Sequence, residues 1–204
     1  MQQAYTQMRR GVSRVLLAAS AVLVFYIGQE PSYASAADSP KLEVRTDSGG
    51  GIRATAQVLF PARTKIIQGL LTDYSHWPDL FEVRMRIVDI QVESGIATVD
   101  LRIDHALMPG ERRLVTETRV VSEGRLVTDL KDGDFRRYRR VWMLYSSDDG
   151  TQTRADFELV VEPELMIPDW LLVMVTRQEL EAHFRLLTQK ALEQTRLSSQ
   201  VGPS

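Results

Sequence analysis

One stretch of sequence decides how the chain is expected to fold, residues 52–71, which read IRATAQVLFPARTKIIQGLL. In its first half, apolar residues occupy every second position: Ile52, Ala54, Ala56, Val58 and Phe60. A period of two predicts a strand with one buried face. Pro61 follows, and apolar residues then recur at three-to-four spacing at Ile66, Ile67, Leu70 and Leu71, which predicts a short helix.

The residues after this helix predict a run of strands. Residues 74–81 form a second short helical or turn segment, and six alternating stretches follow at 83–93, 97–103, 112–122, 125–131, 136–146 and 152–162. A change of phase within 83–93 predicts a β-bulge. The strands are separated by short Gly/Asp segments typical of hairpins, so the sheet is expected to be antiparallel with about seven strands.

Residues 169–196 predict one long amphipathic helix, which begins after Pro163 and Pro168. A helix of this length needs an apolar partner, and the concave face of a curved sheet is the only surface large enough. The predicted class is therefore α+β: a curved seven-stranded antiparallel sheet wrapped around a C-terminal helix, with two short helices after the first strand.

The N-terminal segment predicts export. Arg9, Arg10 and Arg14 precede a short apolar run, and Ala34-Ser35-Ala36 follows it, so residues 1–36 have the order of a secretory signal peptide. We expect a bacterial periplasmic protein, soluble after cleavage or held by an N-terminal membrane anchor if the segment stays uncut. Residues 37–51 are expected to be a flexible lead-in, residues 52–196 the domain, and residues 197–204 a disordered tail.

Composition favours binding over catalysis. The 204 residues include no Cys and only three His, and 25 Lys and Arg stand against 27 Asp and Glu for a net charge of −2. Without Cys there is no thiolate metal site or cysteine nucleophile, and the charge balance argues against nucleic acid as a partner. Glu179 and His183 share a helix face, but no third metal ligand is evident. Neither a cofactor nor a metal is expected.

The order of these elements, with the residues at their joints, resembles the helix-grip superfamily of polyketide cyclase/dehydrase, START and coenzyme Q-binding domains. The matching segments are Val58–Ala62, Leu71–Tyr74, Trp77–Pro78 with Phe81, Gly133–Arg136 leading to Trp142, and Val161–Pro163 with Ile167–Pro168. The resemblance covers residues 52–196 and implies a ligand cavity between the sheet and the long helix.

Candidate cavity residues are the apolar side chains expected on the inner faces of helix and strands: Leu101, Ile103, Trp142, Phe157, Leu159, Leu180 and Phe184. Each of them also fits an ordinary core, because a core requires the same apolar alternation. Candidate entrance residues are Leu107 and Met108 in a loop, and Trp170 and Met174 in a helical segment that is apolar all round. This entrance would serve as a ligand portal or for transient membrane docking, and simple packing of loop on helix explains it equally well.

The stretch from Arg136 to Arg140 places two arginines on each face of one strand. Arg136, Tyr138 and Arg140 would share a face, and an inward arginine could bind the acidic head of a ligand. The alternative is cross-strand pairing with acids such as Asp156 and Glu158.

Three functions remain open from the sequence. The first is an exported binding or transport protein for a hydrophobic ligand such as a lipid, a fatty acid or an isoprenoid quinone. The second is a cyclase or dehydratase acting on aromatic or polyketide-like substrates, for which Tyr138, Arg140 and Asp104 are the candidate polar groups. The third is a structural adaptor that uses the apolar surface of residues 170–175 and has no open cavity.

Overall fold

The computed structural model describes residues 40–106, 108 and 110–200, so the predicted signal peptide and Leu107 lie outside the described residues. The described elements are β1 (Lys41–Thr46), β2 (Ile52–Phe60), α1 (Thr64–Thr72), a 3-10 helix (Tyr74–Leu80), β3 (Arg84–Glu93), β4 (Ile96–Asp104), β5 (Arg112–Ser122), β6 (Arg125–Gly133), β7 (Phe135–Ser146), β8 (Thr153–Pro163) and α2 (Asp169–Gln200).

The strands form one antiparallel sheet in the order β1-β2-β8-β7-β6-β5-β4-β3. Strands β3 to β8 each pair with the next strand in the chain. Strand β2 pairs with β8, and β1 and β3 are the two edge strands of the sheet. Register shifts in β3, β5 and β7 mark bulges, which bend a sheet. The α+β helix-grip prediction is confirmed, and so is the bulge predicted within residues 83–93.

The sheet has eight strands where about seven were predicted. The additional strand is β1, formed by residues expected to belong to the flexible lead-in, and every residue of it pairs with β2. Charged residues at alternate positions made this stretch look like a solvated linker, although an edge strand needs a partner on one side only. Helix α2 also continues to Gln200, four residues into the segment expected to be a disordered tail.

The core lies between the sheet and the part of α2 that runs from Leu180 to Ala191. Leu180, Phe184, Leu187 and Ala191 are all buried there, at the spacing of one helix face. Phe184 packs edge-on against Trp142 and Phe157, with ring centroids 5.9 and 5.3 Å apart. Full burial of a large apolar side chain contributes about 1.5–3 kcal/mol, so this part of the helix is firmly held.

The first half of α2 is packed less closely. Leu172, Val173 and Val175 are only half-buried, and Trp170 and Met174 are exposed. The helix therefore leaves space between its first turns and the sheet. No helix among the described residues is long and apolar enough to cross a membrane.

Candidate ligand-binding cavity

A cavity of about 200 Å³ lies under the first half of α2. Its floor is the inner face of β4, β5, β7 and β8, and Trp77 and Phe81 form one side. His105 and Met108, in the loop between β4 and β5, lie at its mouth with Glu179 of α2. Most of the lining side chains are aliphatic or aromatic, so the cavity suits an apolar ligand.

The predicted site residues fall into separate groups. Those that line the cavity are Leu101, Ile103, Met108, Tyr138, Arg140, Leu159 and Leu180. Trp142, Phe157 and Phe184 instead belong to the buried aromatic core beside it. Trp170 and Met174 point outwards, with Trp170 69% exposed. Leu107 is outside the described residues.

Arg136 lies outside the cavity, although alternation placed it on the same face as Tyr138 and Arg140. The register of β7 against β8 shifts between Phe135 and Arg137, so Arg136 occupies a bulge. A bulge adds one residue to the strand and reverses the alternation on one side of it. The inward series becomes Phe135, Tyr138 and Arg140, and Arg136 lies exposed with its Nη1 3.5 Å from Glu162.

Arg140 is buried and faces the cavity. Its guanidinium carbon lies 4.6 Å from the ring centroid of Trp77, which is fixed by a 3.0 Å hydrogen bond from its Nε1 to the carbonyl of Leu71. Within the described part of the chain, Arg140 makes no ion pair and its buried Nε has no hydrogen-bond partner. An unpaired buried cation costs several kcal/mol, of which a desolvated cation–π contact returns about 2.

The acids proposed as cross-strand partners of these arginines are engaged differently. Glu158 pairs with Arg53 of β2, and Arg139 on the outer face pairs with Asp129 of β6. Arg137 binds Glu162 and Asp47, at 2.8 and 3.0 Å. Cross-strand pairing thus accounts for the outward arginines of β7 but not for Arg140.

His183 of α2 lies behind Phe81, with the two rings stacked 4.3 Å apart. Burial lowers the pKa of His183 to about 4, a backbone hydrogen bond with Leu80 opposes this shift, and the positive charge of Arg140 adds to it. The ring is therefore neutral at pH 7. Its Nδ1 lies 2.8 Å from the carbonyl of Leu80 and donates to it, and its Nε2 is buried without a partner among the described residues.

Two polar side chains meet at the mouth. Nε2 of His105 lies 3.5 Å from Oε1 of Glu179, whose Oε2 is buried without a hydrogen-bond partner in the described part of the chain. Asp104, the neighbour of His105, points away and pairs with Arg84 at 2.9 Å. Within residues 40–106, 108 and 110–200, no group of three or more His, Asp or Glu is placed to hold a metal ion.

Sequence reasoning missed Thr116, Trp77 and Phe81 as cavity residues. Trp77 and Phe81 carried a signal, since three aromatics crowd into residues 74–81. Thr116 carried a weaker signal. It is a polar residue directly after Leu114 and Val115, which are both buried although they lie on opposite faces of β5.

A second groove, of about 580 Å³, lies on the outer face of the sheet. It is larger but open, and its walls carry charged side chains that include Lys41, Glu43, Asp156 and Glu158. Such walls suit water better than an apolar ligand.

The model of a protein family described as polyketide cyclase/dehydrase and lipid transport matches residues 69–183, more than half of the chain. The chain belongs to this family. The match runs from α1 to residue 183 of α2, so the polyketide cyclase/dehydrase and lipid transport domain includes the strands that line the cavity. No curated protein sequence matches the chain.

Solved structures share the fold at low sequence identity. A STAR-related lipid transfer protein from Xanthomonas axonopodis is 16% identical, with 78% of this chain and 94% of that chain covered and a TM-score of 0.58. The Zhui aromatase/cyclase from Streptomyces sp. R1128 is 11% identical, with 76% and 98% covered and a TM-score of 0.57. A START superfamily protein from Mycobacterium smegmatis is 19% identical, with 69% and 97% covered and a TM-score of 0.56. The likeness shows the fold alone.

Proposed function

We propose that this protein is an exported carrier that holds a hydrophobic ligand in the cavity between the sheet and α2. The observation that carries the proposal is the apolar cavity under the half-buried first turns of α2. The family includes lipid transport in its description, and one solved structure of the same fold is named a lipid transfer protein.

The size of the cavity bears on how a ligand enters. At about 200 Å³ it is smaller than the roughly 300–1,000 Å³ of typical ligand pockets. A chain that buries roughly 200 Å² of apolar surface gains about 5 kcal/mol, which is enough to displace weakly packed side chains. The half-buried first turns of α2 are the part expected to move outwards.

Ligand uptake by two variants tests the proposal. Val175→Trp adds bulk on a lining residue of α2 and is expected to reduce uptake of a fluorescent fatty acid at least tenfold, because it fills the cavity. Gln178→Trp adds the same bulk on an exposed position of the same helix and is expected to leave uptake unchanged. Native mass spectrometry of the purified protein identifies any ligand that it carries from the cell.

Absence of uptake by the wild-type protein, together with purified protein that is repeatedly free of ligand, would reject the carrier function. Equal uptake by both tryptophan variants would place the ligand elsewhere.

Export forms part of the proposal and rests on the order of charges and apolar residues in positions 1–36. N-terminal sequencing of the protein recovered from a periplasmic extract checks it, with a new N-terminus at Ala37 expected. Recovery in the cytosol with an intact N-terminus would contradict it.

Transient docking on a lipid surface would allow the ligand to be exchanged. Met166 is fully exposed, as is most of Trp170, while Ile167, Leu172 and Val175 in the same segment line the cavity. One short segment therefore presents apolar side chains to both the solvent and the cavity. Glu164 and Asp169 lie beside it, so a neutral phospholipid surface fits it better than an anionic one.

The second candidate function, a cyclase or dehydratase, is favoured by the pair His105 and Glu179 at the mouth. An imidazole and a carboxylate 3.5 Å apart at an apolar cavity can move a proton on a bound substrate. If the protein is such an enzyme, Glu179→Gln is expected to abolish turnover of a polyketide-like substrate while binding is kept. Identical product profiles from wild type and variant would rule out this role.

A further inference from the structure

A polar patch interrupts the apolar inner face of the sheet. Thr116, Thr118, Thr128 and Arg140 are each more than 90% buried there. Thr118 lies opposite Thr128, and Thr128 lies opposite Arg140, so the patch crosses three neighbouring strands without a break. Thr116 lies two residues before Thr118 on β5 and points to the same inner face of the sheet.

Only part of this patch is internally satisfied. The hydroxyls of Thr118 and Thr128 lie 2.9 Å apart and bond each other. The hydroxyl of Thr116 and the Nε of Arg140 are buried without a hydrogen-bond partner among the described residues, and both residues line the cavity. Buried polar atoms are nearly always paired, so two unpaired donors on one wall of a cavity point to a ligand group that accepts hydrogen bonds.

We propose that Arg140 and Thr116 bind the carboxylate of a single-chain amphiphilic acid, whose apolar chain lies along the rest of the cavity. This inference rests on the proposed function and selects among its ligands. A guanidinium has donors only, and a threonine hydroxyl can donate as well, so both can bond the same oxyanion.

Charge and volume narrow the ligand class. One negative charge balances Arg140, whereas a quinone or an alcohol leaves the arginine unpaired and a phosphomonoester brings nearly two charges. At about 200 Å³ the cavity is smaller than typical ligand pockets, which favours a ligand with a single apolar chain.

The alternative explanation is that Arg140 serves only to hold Trp77. The cation–π contact uses the face of the guanidinium, and it leaves the buried Nε–H of Arg140 without an acceptor among the described residues. Held in this way, Arg140 would give the cavity no preference between acidic and neutral ligands. The two explanations therefore predict different ratios of the affinity for an acidic ligand to the affinity for a neutral one.

The test compares octanoic acid, 1-octanol and methyl octanoate by titration calorimetry at pH 7.5, where the acid is ionised. We expect the wild-type protein to bind the acid roughly 10- to 100-fold more tightly than either neutral ligand. Arg140→Met is expected to lose this preference and to keep its affinity for octanol. Arg139→Gln, which changes an exposed arginine on the opposite face, is expected to retain the preference.

Thr116→Val keeps the shape of the side chain and serves if the arginine variant does not fold; a several-fold smaller preference with unchanged octanol binding is expected. Equal binding of acid and octanol by the wild type would overturn this inference and leave the carrier function standing. Failure of all three ligands and of their dodecyl analogues would reject both.

Discussion

Two basic side chains lie close together in the interior, and only one of them is charged. Arg140 carries the charge of its guanidinium, whereas His183 is kept neutral by burial and by the charge of Arg140. His183 is therefore expected to lower the stability of the folded protein at acidic pH. Protonation would place a second cation beside the first in a region of low polarity.

The pH dependence of stability should reveal this histidine. Its pKa is about 4 in the folded protein and about 6.5 when unfolded, so between these values the unfolded chain binds the extra proton. Stability is expected to fall by about 3 kcal/mol as pH decreases from 6.5 to 4 on account of this group. His183→Gln is expected to flatten the curve of unfolding free energy against pH, measured in urea.

His76 provides the control. It is exposed, and its hydrogen bond to Asp73 raises its pKa, so its contribution is present at low pH and is lost as pH rises. His76→Gln is therefore expected to change the slope in the opposite sense. An unaltered slope in His183→Gln would mean that the pKa of His183 is the same in the folded and the unfolded protein.

At this scale the sequence could predict which residues are apolar and inward, but not which of them line a void. Leu159 at the cavity and Phe157 in the core lie on the same face of β8 and satisfy the same alternation. The difference depends on how far α2 stands from the sheet, which no local pattern encodes. Arg136 was misplaced because a bulge shifts the phase of β7.

Among the elements, the turn from β6 to β7 depends on one glycine. Gly133 has φ of 121°, and a Cβ atom there would lie 2.3 Å from the carbonyl oxygen of Arg113 in β5. The next residue, Asp134, is bonded to Arg113 through both backbone and side chain, at 2.8 and 2.7 Å. The turn is therefore drawn tightly onto β5, directly before the strand that carries Arg140.

Replacing this glycine should destabilise the domain. Gly133→Ala is expected to cost about 2–4 kcal/mol, because the backbone must move away from Arg113 and leave an unusual conformation. Gly69→Ala, inside α1 with open space around it, is expected to stabilise by about 0.5–1 kcal/mol. Urea unfolding measures both, and a neutral result for Gly133→Ala would contradict the close approach.

Most elements could be predicted from the sequence because each strand has a buried face and ends at a Gly/Asp turn. The exception is β1, in which Lys41, Glu43 and Arg45 alternate with two apolar residues beside three glycines. Its pairing is decided by β2, a partner outside the stretch itself. The composition of residues 41–46 alone therefore does not predict pairing with β2.

For the whole molecule, the exposed apolar segment at the start of α2 decides how the protein meets a lipid surface. Tryptophan fluorescence can detect this contact with lipid. Of the three tryptophans, Trp77 and Trp142 are buried and Trp170 is exposed. A change in emission on adding lipid therefore reports on one known position.

Phosphatidylcholine vesicles are expected to shift the tryptophan emission to shorter wavelength, because Trp170 enters the interface. Met166→Gln is expected to weaken this binding several-fold, and Leu197→Gln, an exposed position at the far end of α2, is expected to leave it unchanged. Binding should respond little to salt. A shift seen only with anionic lipids and lost at high salt would contradict insertion into a neutral surface.

The pairing of β2 with β8 also governs when the domain can form during synthesis. Ile52 lies opposite Val161, so β2, which is synthesised early, cannot complete its pairing until β8 has been synthesised. A nascent chain that ends before Thr153 has only β1 to pair with β2, and it lacks β8 and α2. Because such distant contacts form late, this domain is expected to stay unfolded on the ribosome until β8 and α2 have been translated.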